Sequence, residues 1–186
     1  MKITNKIKMV KYAVILLIMV APMVAFSQSI FEKYEDLDEV STVVVTKSAF
    51  KLMARIGGDS KEAKEYIEDV KNLENLAVYT TSDMKIAAQM KADVKNYLHK
   101  SDLSELFRVK DKDGNVKIYV KEGKDDQHIK ELFMFIDNIK NVNIRGEKPQ
   151  VVVVSLTGDI DLEKVGRVID KMNVPGGKHI KKATSK

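Results

Sequence analysis

Apolar positions recur along the chain with two periods, near two and near 3.6 residues, and their alternation predicts an α+β domain. Val40 to Thr46 is rich in β-branched residues and reads as a strand. Ser48 can cap the helix that follows, and Ala49, Leu52, Met53 and Ile56 recur there at helical spacing as the expected inner face. Gly57 and Gly58 end that helix, because glycine takes the left-handed C′ conformation without steric cost. Ser60 offers a second cap, ahead of an apolar stripe of Ala63, Tyr66, Ile67 and Val70. Leu76 to Thr80 reads as a second strand. Ser82 or Asp83 then caps the most regular helix, whose inner face is Met84, Ala87, Met90, Val94 and Tyr97.

Asp113-Gly114 suits a two-residue type I′ hairpin turn, in which both central positions need positive φ. That turn places Lys112 opposite Asn115, Val109 opposite Ile118 and Phe107 opposite Val120, with the apolar pairs on one face. Ile129 to Ile136 reads as a further strand, apolar on both faces from Leu132 onward, and residues 137–149 as a polar connection. Val151 to Thr157 is the most apolar run and belongs at the centre of the sheet. Asp159 or Asp161 then caps a last helix with Leu162, Val165, Ile169 and Met172 inward. Upstream, Ile30, Phe31 and Tyr34 form one short amphipathic turn. The expected architecture is a single α+β domain over residues 28–177. Its sheet is antiparallel or mixed, of about five or six strands, with helices packed mainly on one face.

The first 27 residues follow neither period. Lys2, Lys6, Lys8 and Lys11 form a basic start, and residues 12–26 are an apolar run broken by Pro22. That run is shorter than the roughly 20 residues of a membrane-spanning helix and has the length of a signal-peptide core. Ala25 and Ser27 supply small residues at −3 and −1, so cleavage is expected between Ser27 and Gln28. No stable membrane anchor remains after cleavage. Retention of the uncleaved segment would instead make a membrane-tethered accessory protein.

The leader changes the charge argument. The full chain of 186 residues holds 32 basic and 27 acidic side chains, a net +5. Four of the lysines and no acidic residue fall within the leader, and four more lysines lie in the basic tail, residues 178–186. The intervening domain is therefore slightly acidic, with signs alternating as in Lys61-Glu62-Ala63-Lys64-Glu65. Nucleic-acid binding needs a concentrated basic face, and no such partner is expected. Cysteine is absent, which excludes disulfides, thiolate metal sites, thiol nucleophiles and lipid attachment through an N-terminal Cys.

Three segments carry a family resemblance. They are Phe31-Glu32-Lys33-Tyr34, then Lys47-Ser48-Ala49-Phe50-Lys51-Leu52-Met53, then the run from Val154-Ser155-Leu156-Thr157-Gly158-Asp159 through Ile160-Asp161-Leu162-Glu163-Lys164. Together with the leader they resemble the Bacteroidetes family of small exported proteins known as domain of unknown function 4252, over about residues 30–174. The resemblance implies export into a Gram-negative envelope and supplies no activity. Many relatives look like lipoproteins with a cysteine at the cleavage site, where this chain has Gln28.

Candidate chemistry is sparse. Asp159 and Asp161 bracket Ile160 beyond the most apolar strand and are the candidate pair for a hydrolase or a cation site, with helix capping as the simpler role. Asp111, Asp113, Asn115 and Glu122 match parts of a calcium loop, but Val116 stands where glycine is required. His99 and His128 lack ligand spacing, and no serine lies in a Gly-x-Ser-x-Gly elbow. No catalytic residue, metal ligand or cofactor is expected. The reading favoured is an exported periplasmic or secreted module that binds or assembles rather than catalyses. Its partner is another envelope protein or a second copy of itself.

Overall fold

The computed structural model describes residues 29–56, 61–110, 112–140 and 148–162. The leader, the tail and the expected last helix beyond Leu162 lie outside the described residues. The chain divides into two compact units, Met1–Ile30 and Phe31–Lys186, and the second carries the sheet. In chain order the elements are α1 (Ser29–Glu32), β1 (Val40–Thr46), α2 (Lys47–Ile56), α3 (Lys61–Val70), β2 (Leu73–Thr81) and α4 (Met84–Lys100). Four strands complete the sheet: β3 (Ser104–Lys110), β4 (Asn115–Glu122), β5 (His128–Asp137) and β6 (Val151–Asp161). The six strands lie in the order β1-β2-β6-β5-β4-β3, and every neighbouring pair is antiparallel. The expected α+β class, sheet size and central position of residues 151–157 are what the chain forms.

Alternation along the strands builds two different faces. On one, Leu76, Val154, Leu156, Leu132, Met134, Ile136, Val116 and Ile118 line up across the register and join one apolar core. Phe50 of α2 and Val70 of α3 belong to the same core, so the helical pair lies on this face. The other face presents Tyr79, Val153, Ser155, Phe133 and Phe135 to α4, whose Ala87, Met90, Val94 and Tyr97 are buried. The helices thus divide between the two faces, where one face was expected to carry most of them. The reason is readable in β5 and β6: Phe133, Met134, Val153 and Val154 are at most 1 % exposed, so both faces of the central strands need cover.

Helix α4 makes the long crossover from β2 to the far edge strand β3. Its 17 residues span about 25 Å, and four strand spacings come to about 19 Å, so one helix suffices to cross the sheet. Asp83 starts it, as expected, by accepting a hydrogen bond from Ile86 N–H at 2.8 Å.

Two expectations are corrected. The β3–β4 hairpin pairs Val109 with Val116, Lys110 with Asn115 and Phe107 with Ile118, a register two residues from the one a type I′ turn dictates. Asp113 does not adopt positive φ, and its carbonyl accepts the Lys140 N–H at 2.8 Å. A tertiary hydrogen bond therefore overrides the local turn preference, and the connection widens to residues 111–114. A shift of two leaves the inward residues inward. The second correction concerns α2. Leu52, Met53 and Ile56, its expected inner face, are 56 %, 37 % and 73 % exposed, and Phe50 is the residue it buries.

Gly158 interrupts β6 with φ +143°, and a Cβ there would lie 2.5 Å from the Asn72 carbonyl oxygen. That carbonyl accepts the Asp159 N–H at 3.0 Å, which ties the end of β6 to the start of β2. Only glycine permits this approach.

Candidate functional site

The α4 face encloses an aromatic cluster with carboxylates at its margin. Phe31 sits 5.9 Å from Tyr79, 5.8 Å from Tyr97 and 5.8 Å from Phe133 between ring centroids. Tyr97 and Phe133 are 5.1 Å apart, within the range where ring pairs add to simple burial. Each tyrosine hydroxyl finds a carboxylate. Tyr34 Oη donates to Asp93 at 2.5 Å, Tyr79 Oη to Glu35 at 2.9 Å, and Tyr97 Oη to Glu131 at 2.6 Å. Lys33 also reaches Asp93, at 2.5 Å. Burial, reinforced by these carboxylates, holds all three tyrosines well above the usual phenol range, so they remain donors.

Glu131 is the most enclosed carboxylate among the described residues, at 5 % exposure. Burial raises its pKa, and hydrogen bonds from Tyr97 and from Ser155 (3.4 Å) partly offset that rise. Its hydrogen-bond partners are two hydroxyls, those of Tyr97 and Ser155. The arrangement is a strut between α4, β5 and β6. At the Tyr34–Asp93 pair, Lys33, Tyr34, Leu37, Gln89, Ala92 and Asp93 line a depression of about 380 Å³.

The candidate pair Asp159 and Asp161 lies at the end of β6, within the strand. Asp159 pairs with Lys124 at 2.8 Å, and Asp161 stands opposite His128 in the β5–β6 ladder. His128 Nδ1 in turn bonds Asp125 at 2.6 Å, which holds the Asp125 carboxyl below its usual range. Among the described residues, no three of His, Cys, Asp and Glu gather to hold a metal ion. Of the calcium-like residues, Asn115 donates to the Asp137 carboxylate at 2.8 Å, Glu122 ends β4, and Asp111 lies outside the described residues. Among the described residues, no helix is long and apolar enough to cross a membrane.

The second feature is an exposed apolar zone. Val43 and Val44 of β1 are 52 % and 41 % exposed, on opposite faces of the sheet, and α2 adds Leu52, Met53 and Ile56. Helix α2 packs against β1 and β2, so these residues gather at one margin of the sheet. The sequence profile of the family described as domain of unknown function (DUF4252) matches residues 34–168. The chain belongs to the DUF4252 family. That match begins at Tyr34, ends beyond Leu162 and takes in all six strands, so the DUF4252 domain is the sheet with its helices. No curated protein and no solved structure matches the chain.

Sequence reasoning placed Tyr97 in the core but missed its partner. The signal was present: Glu131 is the one acidic residue within the Ile129–Ile136 strand, immediately before five apolar positions. The outward stripe on α2 was seen as a stripe but assigned the opposite direction.

Proposed function

We propose that this DUF4252 domain is an exported, non-enzymatic module of a Gram-negative envelope that works by binding or assembly. The observation that carries the reading is the α2 stripe: Leu52 and Ile56, at helical spacing, are more than half exposed beside the exposed Val43. An amphipathic helix normally buries such a stripe. Contiguous exposed apolar area rimmed by polar residues marks interaction surfaces. The polar groups of the α4 face support the same view, because their hydrogen bonds are spent on each other. The leader of residues 1–27 and the likeness to exported Bacteroidetes proteins support export.

Two experiments test this reading. N-terminal sequencing of the protein recovered from the envelope is expected to begin at Gln28, and an intact leader would refute the cleaved, untethered form. Capture of envelope proteins by the full chain is expected to be lost in a Leu52→Asp, Ile56→Glu variant whose far-UV circular dichroism is unchanged. Equal capture by both would remove the α2 stripe from the binding role.

A further inference from the structure

We infer that β1 is a strand-pairing edge for a second copy of this chain, joining two sheets about a two-fold axis at Val43. The inference rests on the assembly reading above and names the partner. Its basis is a difference between the two sheet edges. The far edge strand β3, Ser104-Glu105-Leu106-Phe107-Arg108-Val109-Lys110, carries three charges and a register break between Glu105 and Phe107. Charges and bulges of this kind discourage pairing with another chain. The near edge strand β1, Val40-Ser41-Thr42-Val43-Val44-Val45-Thr46, has no charge and no proline, and it pairs with β2 over all seven residues without a register break. Its outer row of backbone N–H and C=O groups is a straight, uncharged template.

Self-pairing also has a preferred register. Antiparallel pairing centred on Val43 sets Val43 opposite Val43, Thr42 opposite Val44, Ser41 opposite Val45 and Val40 opposite Thr46, so the whole strand is used. One step further out, Glu39 of each copy faces Lys47 of the other. The two flanking charges are thus complementary twice over. Centring on Thr42 or on Val44 sets Glu39 opposite Val45 or Ala49, and the charge match is lost. The symmetry covers what the monomer leaves open. A two-fold axis through paired edges runs perpendicular to the sheet and keeps equivalent faces on the same side. Val43 and Val44, exposed on opposite faces, both gain a cross-strand neighbour. The two α2 helices, each packed on β1 and β2, then lie on the same side of the joined sheet near the axis.

The absence of cysteine makes the test direct. In the full chain, Val43→Cys is expected to form a disulfide-linked dimer under mild oxidation, because directly opposed residues of antiparallel strands bring Cα atoms about 4.5–5.5 Å apart. Leu106→Cys, on the charged edge and also exposed, is the control and is expected to form no disulfide-linked dimer. The unaltered chain is expected to be a dimer by light scattering. Val43→Lys, which opposes two lysines at the axis, is expected to weaken the dimer at least about tenfold with unchanged circular dichroism. A monomeric unaltered chain, a Val43→Cys variant that does not cross-link, or equal cross-linking at Leu106 would overturn the inference. A monomer that still captures an envelope protein through α2 overturns it while leaving the proposed function standing.

Discussion

The hydrogen bond between Tyr97 and Glu131 offers the sharpest test of how the two sides of the α4 face are held together. Tyr97→Phe removes only the hydroxyl, so the ring contacts with Phe31 and Phe133 remain. It leaves the buried Glu131 Oε1 with the longer Ser155 contact, at 3.4 Å. A hydrogen bond to a charged group contributes about 1.5–3 kcal/mol. That loss lowers the melting temperature by roughly 3–12 °C in a domain of this size. Urea unfolding followed by far-UV circular dichroism at pH 7 measures it, with an unchanged slope required for a clean reading. The pH dependence supplies a second check. Burial raises the Glu131 pKa in the folded state, so the folded chain holds this proton more tightly than the unfolded one. The contribution of Glu131 to stability is then greatest below the unfolded carboxyl pKa and falls as pH rises through the folded one. Glu131→Gln, which keeps an acceptor for Tyr97, is expected to remove that fall and to be at least as stable as the unaltered chain at pH 7. A Tyr97→Phe loss below about 0.5 kcal/mol at pH 7, or a pH profile that Glu131→Gln leaves unchanged, would refute the account of a buried, tyrosine-bonded carboxyl.

Three further outcomes are expected. Gly158→Ala forces a Cβ to within 2.5 Å of the Asn72 carbonyl at φ +143°, and a stability loss of about 1–3 kcal/mol is expected by urea unfolding. Asp83→Ala removes the acceptor for Ile86 N–H at the start of α4 and should cost about 1 kcal/mol by the same measurement; no change would mean that the cap adds nothing to packing. Ile56→Glu, at a position 73 % exposed, is expected to alter stability by less than about 0.5 kcal/mol, and a large loss would show that the α2 stripe is covered after all.

The sheet was legible because β-branched and apolar runs mark its strands: Val40–Thr46 matches β1 residue for residue, and the helical stripe from Ala87 to Tyr97 matches the buried face of α4, with the expected Met84 instead 78 % exposed. Three features were not legible, each for a physical reason. The hairpin register depends on the Asp113–Lys140 hydrogen bond, which no local turn preference contains. The direction of the α2 stripe depends on which side of the helix meets the sheet, and there the single Phe50 outweighs three aliphatic residues. The cover on both faces follows from β5 and β6 being apolar on both sides, a pattern visible in the sequence whose second helical layer was not assigned. Of the candidate residues, Asp159 was visible only as a carboxylate, because its partner Lys124 comes from a loop 35 residues earlier.

The position of β6 has a consequence for how the molecule comes into being. The last of the described strands slots between β2 and β5, so until residues 151–161 emerge, the earlier described strands make two ribbons with no strand pairing between them. Joining the two halves of the sheet must therefore wait until most of the polypeptide has been made.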